Sequence, residues 1–168
     1  MPTSRPDRFY TKIKNGGYTT VDCVIIDLDG TLANCQHRMH YIEGPKKNWD
    51  AFFDNCLDDS VIHPMLHMMQ ILSEKYKIVF VTARPEKNRE LTTKWLLNHG
   101  IVYDSLYMRK NVDYNKSPIV KKNIVLSLFE KGYNPVFSFD DRPDCVAMFQ
   151  ELGIYSFLVG ENQGQILY

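Results

Sequence analysis

The chain lacks an excess of charge of either sign. Its 168 residues include 20 Lys and Arg and 20 Asp and Glu, so the formal net charge is zero. A neutral protein generates no overall field that attracts polyanions, so binding of nucleic acid would require a local group of cations. The composition, with 44% hydrophobic and 24% charged residues, is typical of one ordinary globular domain.

Several targeting and cofactor signals are also missing from the sequence. The four cysteines form no C-x-x-C pair, and the histidines give no zinc-binding spacing. The first 18 residues contain no apolar segment of the signal-peptide kind, and no apolar run reaches the length of a membrane span. No Gly-x4-Gly-Lys loop for a nucleoside triphosphate occurs. We therefore expect an intracellular, cytoplasmic protein without a membrane segment.

Short apolar runs alternate with helical patterns along most of the chain. Runs rich in Val and Ile that end at turn residues predict buried strands at 21–27, 77–82, 105–108, 136–140 and 155–159. Apolar residues at helical spacing predict helices between these runs. The alternation is typical of an α/β fold with a doubly wound parallel sheet. Ligands of such sheets bind at the carboxyl ends of the strands, which here carry Asp27, Thr82 and Asp140.

Two segments do not fit this alternation. Residues 1–20 include two prolines and two glycines and predict an irregular N-terminal arm, which precedes one domain at 21–168. Residues 34–63 separate the first strand from the first crossover helix, and they include a predicted short helix at 49–57. We interpret this second segment as a small cap insertion that lies over the functional site.

The strongest functional signal is Asp27-Leu28-Asp29-Gly30-Thr31, directly after a predicted strand. From ordinary residue usage, a chance Asp-x-Asp-Gly-Thr in this length is expected on the order of 10⁻³ times. Phosphoryl transfer to a carboxylate needs one acid that attacks phosphorus and a second that protonates the leaving oxygen and then deprotonates water. The glycine lets the chain turn sharply and bring backbone amides near a phosphate. The alternative is a simple turn, in which Asp and Gly are common.

A second signal is Thr82-Ala83-Arg84, at the end of another predicted strand. The hydroxyl and the guanidinium group are suited to phosphate oxygens, so we predict substrate binding by these three residues. By itself the signal is weak, because a Thr and an Arg after a strand are common. Lys121, early in a predicted helix, is a candidate to neutralise the nucleophile and the phosphate, although Lys122 is equally suitable by sequence alone.

A third signal is the acidic pair Asp140-Asp141, which closes a predicted strand. Mg²⁺ prefers one or two carboxylates together with water and phosphate oxygen, so Asp140 is a candidate metal ligand. We expect Asp141 to contact the metal ligands and hold them in position without binding the metal itself, and also to cap the helix that begins after it.

Together, these residues and their order resemble the haloacid-dehalogenase superfamily over about residues 21–160. The resemblance implies a Rossmann-like core and a phosphatase, because the dehalogenases lack the second Asp of the motif. By resemblance, Asp27 is the nucleophile and Asp29 the general acid and base. Mg²⁺ would be held by Asp27, the backbone carbonyl of Asp29 and Asp140, and the phosphate by Thr82 and Lys121.

The chain also resembles the phosphatase domain of the bacteriophage polynucleotide kinase–phosphatases, which removes 3′-phosphates from nucleic-acid ends. That resemblance implies substrate contacts by Arg38, Arg84 and Arg109. The chain departs from the pattern at Ser117, where the family has an Asp, and at Asn115, where it has an Arg.

We therefore expect a Mg²⁺-dependent phosphomonoesterase that forms an aspartyl-phosphate and acts on polynucleotide 3′-phosphate ends. The alternatives are a 5′- or 3′-nucleotidase, a small-metabolite phosphatase and, as another class, a non-catalytic nucleic-acid-binding domain. For a polynucleotide substrate we predict a ring of cations around the mouth of the site, formed by Arg38, Lys46, Lys47, Arg84, Arg109 and Lys116. Lys46 and Lys47 beside Trp49 form either a basic aromatic contact for nucleic acid or lysine stems packed on the indole.

Overall fold

A computed structural model describes residues 11–12 and 18–160 of the chain. The strands are β1 (Thr11–Lys12), β2 (Tyr18–Thr19), β3 (Val21–Ile26), β4 (Ala33–Asn34), β5 (Ser60–Val61), β6 (Lys77–Pro85), β7 (Ser105–Arg109), β8 (Tyr133–Asp140) and β9 (Tyr155–Leu158). The α-helices are α1 (Trp49–Asp54), α2 (His63–Ser73), α3 (Arg89–Asn98), α4 (Ser117–Glu130) and α5 (Pro143–Glu151). Short 3₁₀ helices lie at Gln36–Tyr41, Cys56–Asp58 and Glu86–Asn88.

Five strands form one parallel sheet in the order β7-β6-β3-β8-β9. The first strand of the core, β3, lies in the centre, with β6 on one side and β8 on the other. The α/β class and the parallel sheet predicted from the alternating pattern are confirmed. Because all five strands run in the same direction, the residues that follow β3 and β8 meet at one edge of the sheet.

The core consists of one apolar layer on each face of the sheet. Alternate residues of a strand point to opposite faces, and Val24 and Ile26 of β3 pack in one layer while Cys23 and Ile25 pack in the other. The first layer includes residues of α2 and α3, among them Trp95, which is fully buried. The second layer includes residues of α4 and α5. Helices on both faces explain why the central strands β3 and β6 contain runs of consecutive buried residues instead of alternating.

The predicted cap insertion begins and ends at a small antiparallel ladder. Ala33 of β4 pairs with Val61 of β5, so residues 35–59 form a loop that leaves the sheet and returns to the same place. This loop contains α1 and two of the 3₁₀ helices. Asn48 caps α1, because its side chain accepts a hydrogen bond from the backbone amide of Ala51. The segment therefore has its own short elements and is anchored beside the end of β3.

The predicted N-terminal arm falls largely outside the described residues. Within it, Thr11–Lys12 pairs with Tyr18–Thr19 in a two-stranded antiparallel ladder. None of the helices in the described part of the chain is long and apolar enough to cross a membrane.

Candidate active site

The carboxyl edge of the central strands brings together the acids predicted from sequence. Asp27 directly follows β3, and its backbone amide donates a hydrogen bond to the carbonyl of Phe139, the residue before Asp140. Asp140 ends β8 and is fully buried, and Asp27 is only 5% exposed. Thr82 lies in β6, on the other side of β3, and is also buried. These three residues therefore surround the end of the central strand.

A tight turn follows Asp27 and places Asp29 beside it. The backbone amides of Thr31 and Ala33 both donate to the carbonyl of Leu28, which closes the turn. Gly30 has a φ of 79°, in the left-handed region that favours glycine. A Cβ atom at this position would also clash with the carboxylate of Asp141. The glycine of the motif is therefore required both by the backbone and by the close approach of an acid.

Three carboxylates form a cluster at this edge of the sheet. One oxygen each from Asp27, Asp140 and Asp141 lies within 4.8 Å of the others. Burial, with a smaller contribution from the neighbouring acids, raises the pKa of Asp27 well above its usual range. Burial and the charge of Asp140 raise the pKa of Asp141 to about 7. Such a concentration of oxygen ligands fits a hard divalent cation, which would offset the mutual repulsion of the acids.

The expected capping role of Asp141 is wrong. The residue at the cap position of α5 is Arg142, and no side chain makes a capping hydrogen bond there. The backbone amide of Arg142 donates instead to Oδ1 of Asp140, and the first-turn acid Asp144 accepts from the amide of Cys145. Because the chain turns toward the Gly30 loop after β8, the carboxylate of Asp141 lies against that loop and not over the helix.

Lys121 of α4 is the cation that faces the acidic cluster. Its Nζ lies 2.6 Å from Oδ2 of Asp140 and 3.0 Å from Oδ2 of Asp27, and its side chain is 1% exposed. Burial alone would lower the pKa of Lys121, but the two carboxylates outweigh burial and hold it above its usual range. The ammonium group is thus held in its charged form beside the candidate nucleophile. Lys122, which the sequence did not distinguish from Lys121, is exposed.

Asp29, two residues after Asp27, is paired with two buried arginines. Arg84 donates from Nε to Oδ2 of Asp29 at 3.1 Å and from Nη2 to Oδ1 at 2.6 Å. Arg38 also donates to Oδ1 of Asp29. Burial alone would raise the pKa of Asp29, but the two guanidinium groups outweigh burial and bring it well below its usual range. Asp29 is therefore held as a carboxylate.

A fourth charged residue, Asp59, completes this network. Its Oδ1 accepts from Nε of Arg38 at 2.7 Å, and its Oδ2 accepts from both arginines, at 2.6 Å from Arg38 and 3.0 Å from Arg84. The side chains of Asp59 and both arginines are fully buried. Two cations are thereby matched by two carboxylates, which is the condition for keeping charges in a protein interior. Asp59 was missed by sequence reasoning, because nothing in the pair Asp58-Asp59 indicates which acid is buried.

The predicted ring of cations around the mouth is wrong for Arg38 and Arg84. Both are fully buried, because the carboxylates of Asp29 and Asp59 hold them inside. Arg109 is half-buried and donates to three backbone carbonyls, those of Ala83, Asp113 and Asn115. Substrate contact by these arginines, and by Thr82 and Ala83, remains a prediction. The exposed members of the expected ring are Lys46, Lys47 and Lys116.

This fold and this site define a phosphatase of the haloacid-dehalogenase type. Known structures with the same fold include a haloacid dehalogenase-like hydrolase from Streptococcus pneumoniae, with a TM-score of 0.58 and 13% identity over 82% of this chain and 83% of that chain. More narrowly, residues 21–163 match the family model of the phosphatase domain of polynucleotide kinase PNKP. Since the match covers most of the chain, the protein belongs to this family.

Two relatives illustrate the family. A putative bifunctional polynucleotide kinase/RNA ligase of Autographa californica nuclear polyhedrosis virus is 28% identical over 134 residues, which are 78% of this chain and 18% of the viral protein. A chain in the structure of the Pnkp1/Rnl/Hen1 RNA repair complex has a TM-score of 0.72 and 28% identity, over 94% of this chain and 48% of that chain. The chain thus spans less than half of either relative.

The charge network predicts that Asp59 is needed for stability. In Asp59→Asn, an amide of the same shape would leave two buried guanidinium groups with one carboxylate. Breaking a buried ion pair in this way typically costs about 3–5 kcal/mol. We expect a loss of that size in the free energy of unfolding, measured by urea denaturation.

Asp58→Asn is the matched control for this experiment. Asp58 is the neighbouring residue and is exposed, so its substitution is expected to change the free energy of unfolding by less than about 0.5 kcal/mol. Equal stability of the two variants would contradict the structural role assigned to Asp59.

Proposed function

We propose that this protein is a Mg²⁺-dependent phosphomonoesterase that works through a phosphorylated Asp27 and removes 3′-phosphates from polynucleotide ends. The observation that carries the proposal is the contact of Asp27 with Lys121, beside Asp140, while Asp29 lies two residues further along the same loop. This arrangement supplies a nucleophile, a cation to neutralise it and a second acid for proton transfer.

In the first step, a carboxylate oxygen of Asp27 attacks phosphorus and the bond from phosphorus to the ester oxygen breaks. Asp29 gives a proton to the leaving oxygen, so the product leaves as an alcohol and Asp27 carries the phosphoryl group. Lys121 offsets the negative charge that the reacting oxygens share. Burial raises the pKa of Asp27, but the adjacent ammonium group of Lys121 acts in the opposite direction and favours the ionised carboxylate that the attack requires.

In the second step, water attacks phosphorus while Asp29 takes a proton from it. The bond from phosphorus to Asp27 breaks, and inorganic phosphate and the free carboxylate are restored. The ionised state in which Arg38 and Arg84 hold Asp29 is the state that this step requires. For the first step the carboxyl group must be protonated, and the negative charge of an arriving phosphate raises its pKa in that direction.

The carboxylates of Asp27 and Asp140, together with the backbone carbonyl of Asp29, are our proposed ligands for Mg²⁺. Asp141, which lies within the same acidic cluster, would hold these ligands in position without binding the metal itself. The charge of a bound Mg²⁺ offsets the combined negative charge of nucleophile and phosphoryl group. Buried Thr31 lies in the same loop, and its hydroxyl has no hydrogen-bond partner among the described residues, so it remains available to a bound ligand.

The choice of polynucleotide 3′-ends as substrate is supported by the family to which the chain belongs. The viral relative is described as a polynucleotide kinase/RNA ligase, and the structural relative is part of an RNA repair complex. Both descriptions point to substrates with nucleic-acid ends. A nucleotidase that acts on mononucleotides would share the chemistry described above and differ only in how the rest of the substrate is bound.

Asp27→Asn tests the covalent mechanism. The amide keeps the shape of the side chain but cannot form an acyl phosphate, so we expect turnover of p-nitrophenyl phosphate to be abolished. Acid quenching during turnover of a ³²P-labelled substrate should trap a phosphoenzyme in the wild type and in Asp58→Asn, but none in Asp27→Asn. A labelled Asp27→Asn protein would refute the assignment.

Asp29→Asn tests the proton transfer. We expect the rate to fall about 10²–10⁴-fold on an alkyl phosphate, the usual range for loss of a general acid or base. The loss should be smaller on p-nitrophenyl phosphate, whose leaving group needs no proton. The measurement is kcat/KM on both substrates, and equal losses would remove Asp29 from this role.

Metal removal tests the acidic cluster. Excess chelator is expected to stop turnover and added Mg²⁺ to restore it. Asp140→Ala should raise the Mg²⁺ concentration needed for half-maximal rate, because the hard cation loses an oxygen ligand. Activity that persists in excess chelator would refute the role of a divalent cation.

A further inference from the structure

Because Arg38 and Arg84 are buried, other residues must contact the part of a polynucleotide that lies beyond its terminal phosphate. Arg38 and Arg84 are held inside by carboxylates, and two nitrogens of Arg109 are occupied by backbone carbonyls. A longer substrate would carry further phosphates and bases past the mouth of the site. Its recognition therefore requires exposed groups at the same edge of the sheet.

The loop of residues 110–116, directly after β7, lies at this edge and is braced by several hydrogen bonds. Arg109 ties it to β6 by donating to the carbonyl of Ala83 at 2.9 Å, next to Thr82. Arg109 also donates to the loop carbonyls of Asp113 at 2.9 Å and Asn115 at 2.6 Å. The carboxylate of Asp113 accepts from the backbone amide and from the side chain of Asn115. The loop is thus braced by hydrogen bonds between its own residues and by the hydrogen bonds of Arg109.

This hydrogen-bonded loop displays a large aromatic side chain to solvent. Tyr114 is 89% exposed, although it lies between Asp113 and Asn115, whose hydrogen bonds fix the backbone on both sides. Lys110 and Lys116, at the two ends of the loop, are exposed as well. Because hydrogen bonds already hold the backbone beside Tyr114, only the side-chain torsions of this residue would have to be ordered when a flat ligand stacks on its ring.

A second exposed aromatic ring lies on the cap insertion. Trp49 begins α1, is 47% exposed and stacks on Phe53 with 5.9 Å between the ring centroids. The ammonium of Lys47 lies 5.7 Å from the indole. The same helix contacts the buried charge network, because the carbonyl of Phe52 accepts from Nη1 of Arg38 at 3.0 Å. Trp49 is therefore carried by the helix that packs against Arg38.

Lys87 joins the loop to the cap. Its backbone amide donates to Oδ1 of Asn111 in the loop at 2.7 Å, and its Nζ lies 2.6 Å from Oδ1 of Asp50 in α1. The hydrogen bond that Lys87 donates to Asp50 is the main cause of the raised pKa of Lys87, and Tyr114 contributes to the same shift. Lys87 therefore links the loop that carries Tyr114 to the helix that carries Trp49, and we call the exposed side chains of these two elements the loop–cap surface.

We propose that this surface binds single-stranded nucleic acid upstream of the terminal phosphate, with bases stacked on Tyr114 and Trp49 and backbone phosphates near Lys47, Lys110 and Lys116. Among the described residues, these three lysines have no salt-bridge partner, whereas Asp50 and Asp113 are already engaged by Lys87 and Asn115. Exposed aromatics among exposed lysines match the alternation of bases and phosphates in a single strand. The inference rests on the proposed function for the position of the reacting phosphate.

Stacking on these rings would give recognition without a fixed base sequence. Every base has a flat face, so a tyrosine or tryptophan platform accepts any of the four. The lysine contacts would make binding dependent on salt, because each neutralised phosphate releases a counterion. The surface therefore predicts a phosphatase that prefers strands to mononucleotides but does not distinguish their sequences.

The first experiment measures binding apart from turnover. In an Asp27→Asn background, fluorescence anisotropy gives Kd for a 3′-phosphorylated single-stranded oligonucleotide, as DNA and as RNA. Tyr114→Ala is expected to weaken binding about 5- to 100-fold, the range for loss of one base-stacking contact. Tyr114→Phe, which keeps the ring, should bind like its parent.

Tyr155→Ala is the matched control, since Tyr155 is 68% exposed on β9 at the edge of the sheet opposite β7. It should leave Kd as it is in the parent. An oligonucleotide that lacks the stacked base should bind the parent protein more weakly than the complete oligonucleotide does. Tyr114→Ala should not weaken the binding of this abasic oligonucleotide any further, because the stacking contact is already absent. The joint substitution of Lys110 and Lys116 by Gln should reduce the slope of log Kd against log salt by about one for each lost contact.

The second experiment compares substrates in the otherwise unmodified protein. The ratio of kcat/KM for the oligonucleotide to kcat/KM for p-nitrophenyl phosphate should fall in Tyr114→Ala and Trp49→Ala but not in Tyr155→Ala. Binding by Tyr114→Ala as tight as that by Tyr155→Ala would overturn the inference. Tyr114-dependent binding without turnover of 3′-phosphates would support this surface and refute the 3′-phosphatase assignment, so the two failures are distinguishable.

Discussion

The ion pairing of two buried arginines with two carboxylates is the constraint on which the rest of the site depends. Asp29 comes from the loop after β3, Arg84 from β6, and Arg38 and Asp59 from the cap insertion. A guanidinium group without a carboxylate would not remain in such a position, because the loss of hydration would be uncompensated. The network therefore joins three parts of the chain that are distant in sequence and fixes the direction in which Asp29 points.

The two sides of the site differ in their balance of charge. Around Asp29, cations and carboxylates are matched and fully hydrogen-bonded. At the end of β3, Asp27, Asp140 and Asp141 face one lysine, Lys121, so negative charge remains in excess. A balanced network suits a residue that must hold its position, and an unbalanced one suits the binding of a cation with a phosphoryl group. In the proposed mechanism, the matched network holds Asp29 in position, and the excess of carboxylates around Asp27 binds the cation.

The same balance explains how a chain without net charge can be suited to nucleic acid. The arginines that sequence comparison favours for substrate contact stabilise the interior, while exposed lysines lie on the loop after β7 and on the cap. The field that a substrate meets depends on where charges lie and on which are already paired, and only in part on their sum. Tyr114 and Trp49 add aromatic rings on which bases can stack, and this contribution does not depend on the net charge of the protein.

The sequence by itself determined the parallel sheet and the meeting of Asp27 and Asp140 at the carboxyl edge of its strands. These follow from local patterns, since apolar runs define strands and the last residue of each strand lies at a known edge. Local sequence patterns did not decide between Lys121 and Lys122, where only the family resemblance favoured Lys121, or between Asp58 and Asp59. The tertiary structure decided both, and it turned Asp141 away from the helix. Neighbouring residues of a helix differ by about 100° in direction, so identical side chains one position apart face the interior or the solvent. Which of the two is buried depends on packing against elements that are distant along the chain, and no local pattern records it.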